Sequence, residues 1–218
     1  MRITFLGHAA FLIETVGNRI ITDPYSHEIG YLPVDQRADF VCLSHDNPIW
    51  HSCLDDISGD FETLNGLEIL EETIERGPLR FGAVKVFEKP NEGPNAMIWI
   101  DIEGLRVLHM GDCGVLPHDE TLEKCGRVDV LLALSGGFPT LNLEDLMVLV
   151  EKLAPKIVIP MHFAVLDLKM KALGVEEIGK RFEARQIVRH EGSILEITPE
   201  NLLEATQLHV LKPLRIAL

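Results

Sequence analysis

No apolar stretch in this 218-residue chain approaches the roughly 20 residues that a membrane-crossing helix needs, so no helical membrane anchor is expected. The opening MRITFLGHAAFLIE alternates like a strand and carries no small-residue cleavage site behind an apolar stretch, so no signal peptide is expected either. Positive charge is scarce: 20 Lys and Arg stand against 34 Asp and Glu, a formal net charge of −14. Such a surface repels phosphate backbones and argues against nucleic-acid binding. It leaves room for an anionic small molecule, because a bound metal reverses the local field. The four cysteines, Cys42, Cys53, Cys113 and Cys125, form no C-x-x-C pair and read as free thiols of a reducing cytoplasm. No low-complexity linker or repeat divides the chain, and the expectation is a single domain over residues 1–218.

What is present is a series of short apolar strands. Ile3 to Gly7 and Phe11 to Ile13 read as strand, and Val16-Gly17-Asn18 turns the chain into another at Arg19 to Thr22. Phe40 to Leu43 is apolar on both faces, and Met97 to Ile102 with Leu105 to Met110 make a hairpin about Glu103-Gly104. The pattern then becomes β-α-β. The run Val128 to Leu134 precedes a Gly-Gly loop and a helix capped by Asn142, with a stripe of Leu143, Leu146, Met147, Val150 and Leu153. Pro155 stops that helix, and Lys156 to Met161 is a further buried strand. A second amphipathic helix is expected near Val175 to Ala184, then short strands around Ile187 and Ile194 to Ile197. The apolar-rich segment Pro199 to Leu218 closes either the core or a contact between copies, so a homo-oligomer is one expectation.

Five loops that end apolar strands carry metal-competent side chains: Gly7-His8, Asp23-Pro24, Ser44 to His51, His109 to Asp112, and Pro160 to His162. One such histidine is usually a hydrogen-bonded structural residue. Five together point to a metal site, because strand ends on one edge of a sandwich converge.

The segments ITFLGHAAFLIE, IITDPY, FVCLSH, GLRVLHMGDCG, VDVLLALSGGF and APKIVIPMHF, from about Arg2 to Phe163, resemble the metallo-β-lactamase fold superfamily. Within it they look like the branch of ascorbate-6-phosphate-lactonase-like metal-dependent hydrolases. The resemblance implies an α/β fold, a four-layer αββα sandwich, with a metal site on one edge where activated water attacks a carbonyl or phosphoryl centre. Its loop is H-x-H-x-D-H. Here His45 matches the first histidine, Asn47 replaces the second, Ile49 and Trp50 stand where the aspartate and last histidine belong, and His51 is displaced by one. The family's further histidine before the GD hairpin has no counterpart, since no histidine lies between His51 and His109. Asp112 matches the metal-bridging aspartate and His162 the last histidine, while His8 and Asp23 match residues beside the site.

The resemblance therefore implies metal ligands from His45, His51, Asp112 and His162, with Asp112 and His45 carrying the chemistry. His8, Asp23, Asp46, Asn47 and His109 would lie beside them. A catalytic zinc-type ion wants about three protein ligands and an open position, so the expected cofactor is at most one divalent ion (zinc, manganese or iron), or none. Asn47 reads as a loop-stabilising amide. Trp50 either shields apolar surface or lines a pocket, and His109 either faces the site or packs as a hydrogen-bonded imidazole. Ser135-Gly136-Gly137 is a turn or an anion cradle, and His118, His190 and His209 receive no role. The expected function is hydrolysis of a small-molecule ester, lactone or phosphoester. The alternative is a catalytically inactive relative serving as a ligand-binding or assembly module.

Overall fold

Successive residues of the first strands point into two different cores, and this alternation organises the molecule. Phe5, Phe11, Ile13, Ile20 and Cys42 enter one cluster, while Leu6, Leu12, Ile21, Val41 and Leu43 enter another. A period-2 pattern apolar on both faces is what a sheet covered on both sides requires. The structure, a computed structural model, describes all residues except 90–92, 166, 167, 169 and 215–218. The end of the Pro199 to Leu218 segment thus lies outside the described residues.

The chain begins with β1 (Arg2–Gly7), β2 (Ala10–Thr15), β3 (Asn18–Thr22), β4 (Gln36–Arg37), β5 (Phe40–Leu43), β6 (Ile57–Ser58) and β7 (Glu62–Asn65). It continues with β8 (Ile74–Arg76), β9 (Leu79–Phe87), β10 (Pro94–Ile102), β11 (Leu105–His109), α1 (Asp119–Cys125), β12 (Val130–Leu134), α2 (Leu143–Leu153) and β13 (Ile157–Met161). The last elements are α3 (Glu176–Gly179), β14 (Ile187–Arg189), β15 (Ile194–Glu196) and β16 (Gln207–Val210). A six-stranded sheet, in the order β15-β1-β2-β3-β5-β7, faces an eight-stranded sheet, β14-β16-β13-β12-β11-β10-β9-β8. The larger core draws on residues of both sheets and on the buried faces of α1 and α2, and reaches from Ile3 to Leu211.

This is an α/β sandwich of two mixed sheets with helices, as the sequence implies. Asn142 caps α2 by accepting from the Asp145 N–H at 2.9 Å, and Leu143, Leu146, Leu149 and Val150 bury its stripe. The outer face of the six-stranded sheet is covered differently. Tyr25, Ile29, Tyr31, Val34, Ala38 and Ile57 fill it from loops and the small β4–β6 pair. Among the described residues no α-helix joins that second core.

Some expectations need correction. The helix from Val175 to Ala184 forms only over Glu176–Gly179. Gly179 is a poor helix former, and Glu183 ends the segment by capping a new turn at Ala184–Gln186. Between Leu43 and Met97 the chain also forms β6 to β9, including the nine-residue β9, LRFGAVKVF. The C-terminal segment closes the core through β16, which pairs in parallel with β13 and β14.

The pairings explain why polar loops meet. β1, β3 and β5 are mutually parallel, because β2 runs antiparallel to both β1 and β3, and β5 is parallel to β3. By the same reasoning β9, β11, β12 and β13 are mutually parallel. The C-terminal ends of each set therefore share one edge of their sheet. Backbone bonds stitch these edges together: the Ala96 N–H donates to the Ser44 carbonyl at 3.0 Å, and the His162 N–H to the His8 carbonyl at 2.8 Å.

Close approach behind His162 is strict, since a Cβ on Gly136 would overlap the His162 carbonyl oxygen. Gly136→Ala should cost about 1–3 kcal/mol through overpacking, lowering Tm by several degrees. Gly192→Ala, whose Cβ meets nothing within 4 Å, should stay within about 0.5 kcal/mol. Thermal unfolding of both variants checks the contrast, and equal Tm values would show that the Gly136 contact is not tight.

Candidate metal centre

Asp23, the residue after β3, is fully buried and accepts from three groups. The Ser44 N–H donates to Oδ1 at 2.7 Å, the Ser44 hydroxyl to Oδ2 at 2.6 Å, and His51 Nδ1 to Oδ2 at 3.0 Å. Burial works against the charged carboxylate, but His109, His51 and the Ser44 hydroxyl outweigh it and hold its pKa below the ordinary value. These bonds fix two histidine tautomers. Since the Ser44 proton goes to Asp23, Ser44 Oγ receives the N–H of His45 Nδ1 at 3.0 Å. His45 Nε2 is left with a bare lone pair, the form a metal ligand requires.

His51 presents a sharper problem. Its Nδ1 is committed to Asp23, and its Nε2 lies 2.9 Å from Asp112 Oδ2. In a neutral His51 two lone pairs would face each other across that gap, so a cation must lie there, either a proton or a metal ion. Burial pushes the His51 pKa down, but the Asp112 and Asp23 carboxylates outweigh burial and raise it to about 10. Asp112 is also 3.5 Å from His162 Nε2 through its other oxygen. Burial opposes its ionisation, yet His51 and His162 hold its carboxyl well below the usual carboxylate range. Its side chain is 16% exposed, against 5% or less for His51 and His162, so the cluster opens to solvent beside Asp112.

His8 follows β1 and joins this cluster. Its ring centroid is 4.4 Å from that of His162 and 5.0 Å from that of His51. Burial, then His162 and His51, push its pKa well below the ordinary value, so the ring is neutral. Three cluster residues, His8, Asp23 and His162, adopt positive φ (52°, 37° and 53°), a strained conformation for residues other than glycine. Tyr31 supports the turn: its ring packs where a Cβ of Gly7 would be, at 2.7 Å.

Two groups of three ligand atoms lie within 4.8 Å of one another: His8, His51 and His162, and His45, His51 and Asp112. The structure thus brings together His8, Asp23, His45, His51, Asp112 and His162. Asp46 turns outward, accepting from the Ser52 hydroxyl at 3.1 Å. Asn47 stabilises its loop as expected: its Oδ1 accepts from the Trp50 N–H, and its carbonyl from the N–H groups of Trp50, His51 and Ser52. That knot carries His51 inward. The Trp50 ring sits 5.2 Å from His8 and packs against the outer core. His109 takes the hydrogen-bonded alternative, donating from Nε2 to the Ala9 carbonyl at 2.8 Å and accepting from the Gly111 N–H at Nδ1. Sequence reasoning missed Glu88, whose Oε1 lies 3.7 Å from His45 Nε2. It follows β9, and recognising that strand ahead of the β10–β11 hairpin was the signal. Asn95 was missed too; its amide receives the Asp112 N–H at 3.1 Å and donates to the Met110 carbonyl at 3.2 Å.

Comparisons with known proteins identify the family and the fold. The beta-lactamase superfamily domain matches residues 2–162, and the chain belongs to that family. It is 28% identical over 193 residues to a UPF0173 metal-dependent hydrolase of Carboxydothermus hydrogenoformans, covering 75% of this chain and 84% of that one. It is 28% identical over 211 residues to a UPF0173 protein of Pyrococcus furiosus, covering 86% and 93%. Among solved structures, a candidate Zn-dependent hydrolase of the metallo-beta-lactamase superfamily from Thermotoga maritima superposes with a TM-score of 0.81 at 28% identity, over 96% of this chain and 97% of that one. No helix among the described residues is long and apolar enough to cross a membrane.

The raised pKa of His51 has a stability consequence in metal-free protein. Its contribution is fully present below about pH 6.5 and is lost as the pH rises through about 10. In urea unfolding of metal-stripped protein, the advantage of wild type over His51→Asn should shrink steadily across that window. A constant advantage would mean that His51 does not hold a proton between Asp23 and Asp112.

Proposed function

We propose that this member of the metallo-β-lactamase superfamily is a metal-dependent hydrolase of a small ester, lactone or phosphoester, with a centre reduced to one divalent ion. One observation carries the reading. Of seven buried side-chain N or O atoms without a hydrogen-bond partner among the described residues, six belong to this cluster: both nitrogens of His8, Nε2 of His45, Oδ1 of Asp112, Nδ1 of His162, and Nε2 of His51, which meets Asp112 Oδ2 at 2.9 Å only if a cation lies between them. Each such atom costs roughly 1–3 kcal/mol when left unsatisfied, and native proteins rarely concentrate them. A cation held among these groups, taking one lone pair from each ring that ligates it and an oxygen from Asp112, removes part of that cost. The names of the relatives support the same chemistry.

Reduction to one ion is supported by His51. Both three-ligand groups draw on it, its Nδ1 is occupied by Asp23, and Nε2 has one lone pair to give. The loop places Asn47 in a backbone knot, where it supplies no ligand. Within the cluster, His51, Asp112 and His162 would hold the ion, with His45 on the side of Glu88. A bound divalent ion supplies Lewis acidity and lowers the pKa of water toward neutrality. The residues do the rest. Asp112, at the solvent-facing opening, orients water by accepting a hydrogen bond from it, and His45 Nε2 and Glu88 define a polar wall for the substrate. Asp23 locks both loop histidines in the tautomer that presents Nε2.

Elemental analysis of untagged protein tests this directly. About one ion per chain is expected, with metal affinity falling at least ~100-fold in Asp112→Ala and less than ~10-fold in Asn47→Ala. Loading at neutral pH should release the proton held by His51. With added zinc, manganese or iron, hydrolysis of a panel of lactones, phosphomonoesters and phosphodiesters should be weak and abolished by chelator. Absence of bound metal would favour the inactive-module alternative, and rapid turnover would refute the reduced centre.

A further inference from the structure

We propose that His8 is itself a metal ligand, replacing an imidazole that the altered loop no longer supplies, so that His8, His51 and His162 form a three-histidine set beside Asp112. The proposal rests on the metal reading above but adds a ligand and a place for the ion within the cluster.

The ligand atoms of His8, His51 and His162 all lie within 4.8 Å of one another, and all three residues are buried. His8 is 1% exposed and neither of its ring nitrogens has a partner. A neutral imidazole has one N–H to donate and one lone pair to offer, and a buried structural histidine uses them. His109, equally buried in the same region, uses both. His8 uses neither, and its ring lies against the rings of the other two.

The backbone around His8 is built to hold it there. Its φ of 52° is unfavourable for histidine. It is retained by the bond from the His162 N–H to the His8 carbonyl and by Tyr31 packed against Gly7. The same bond couples His8 to His162, so two ligands from different sheets are fixed relative to each other. His45, the competing ligand, belongs to the other three-atom group, with His51 and Asp112, and also has Ser44 on Nδ1 and Glu88 3.7 Å from Nε2. A site of three imidazoles and one carboxylate selects zinc, cobalt, iron or nickel over magnesium or calcium, which take all-oxygen sites.

Cobalt(II) titration of untagged, metal-stripped protein tests the proposal through binding and spectra, without any substrate. His8→Asn suits the left-handed backbone and removes the imidazole. Since loss of a residue that only supports a ligand costs about 10–100-fold, loss of this ligand should weaken cobalt binding at least ~100-fold. His8→Cys offers a thiolate at the same place and should produce a cobalt–sulfur charge-transfer band in the near ultraviolet that wild type lacks. Wild-type affinity in His8→Asn, or weakened binding there without a charge-transfer band in His8→Cys, would overturn the proposal and leave the metal reading intact. Absence of cobalt binding in wild type would overturn both.

Discussion

The buried carboxylate of Asp23 is the constraint on which the site depends. An ionised carboxylate inside a protein is tolerated only when it is fully paired, and Asp23 is paired by the backbone and hydroxyl of Ser44 and by His51. Those partners come from the end of β5 and from the loop beyond it, so one side chain just after β3 fixes the geometry of the neighbouring strand end. It also fixes proton positions. With the Nδ1 atoms of His45 and His51 engaged, both rings present Nε2 to the same space, and Asp112 approaches from the opposite sheet. Replacing Asp23 by a neutral residue would therefore release the tautomers and the loop together.

Strand direction supplies the rest. Two sets of mutually parallel strands, one in each sheet, deliver Asp23, His8 and His45 from one side and Asp112, His162 and Glu88 from the other. Positive φ at His8, Asp23 and His162 turns each side chain sharply where its strand stops. Strain of this kind persists when the surrounding structure over-determines it. Here the cross-sheet bond between His162 and His8 and the tight passage at Gly136 do so.

β1, β2, β3 and β5, the β10–β11 hairpin and α2 with its Asn142 cap were legible because their periodicity is clean and their ends carry turn or cap residues. The long β9 was not, because its LRFGAVKVF contains Arg, Gly and Lys, which dilute the alternation. Its loss hid Glu88. The helix near Val175 looked longer than it is, because apolar spacing at Val175, Ile178 and Phe182 says which face is buried but not where backbone hydrogen bonding stops. The residues of the candidate centre were legible as strand-end polar groups. His51 was expected among them, but the means that turns it inward, three N–H groups folding onto the Asn47 carbonyl, was not legible. Nor does sequence alone separate His8 from His109. Both follow apolar strands, and only the structure shows one satisfied and the other unpartnered.

The central claim is that this cluster of unpartnered imidazoles and carboxylate exists to hold one cation. The most direct measurement is anomalous diffraction at the zinc absorption edge from crystals of the zinc-loaded protein. The expected map has a single peak, bonded to nitrogens of His8, His51 and His162 and to an oxygen of Asp112, at the usual zinc distances of about 2.0–2.2 Å. Two peaks, a single peak on the far side of His45 with His8 unligated, or a cluster filled only by water would contradict it.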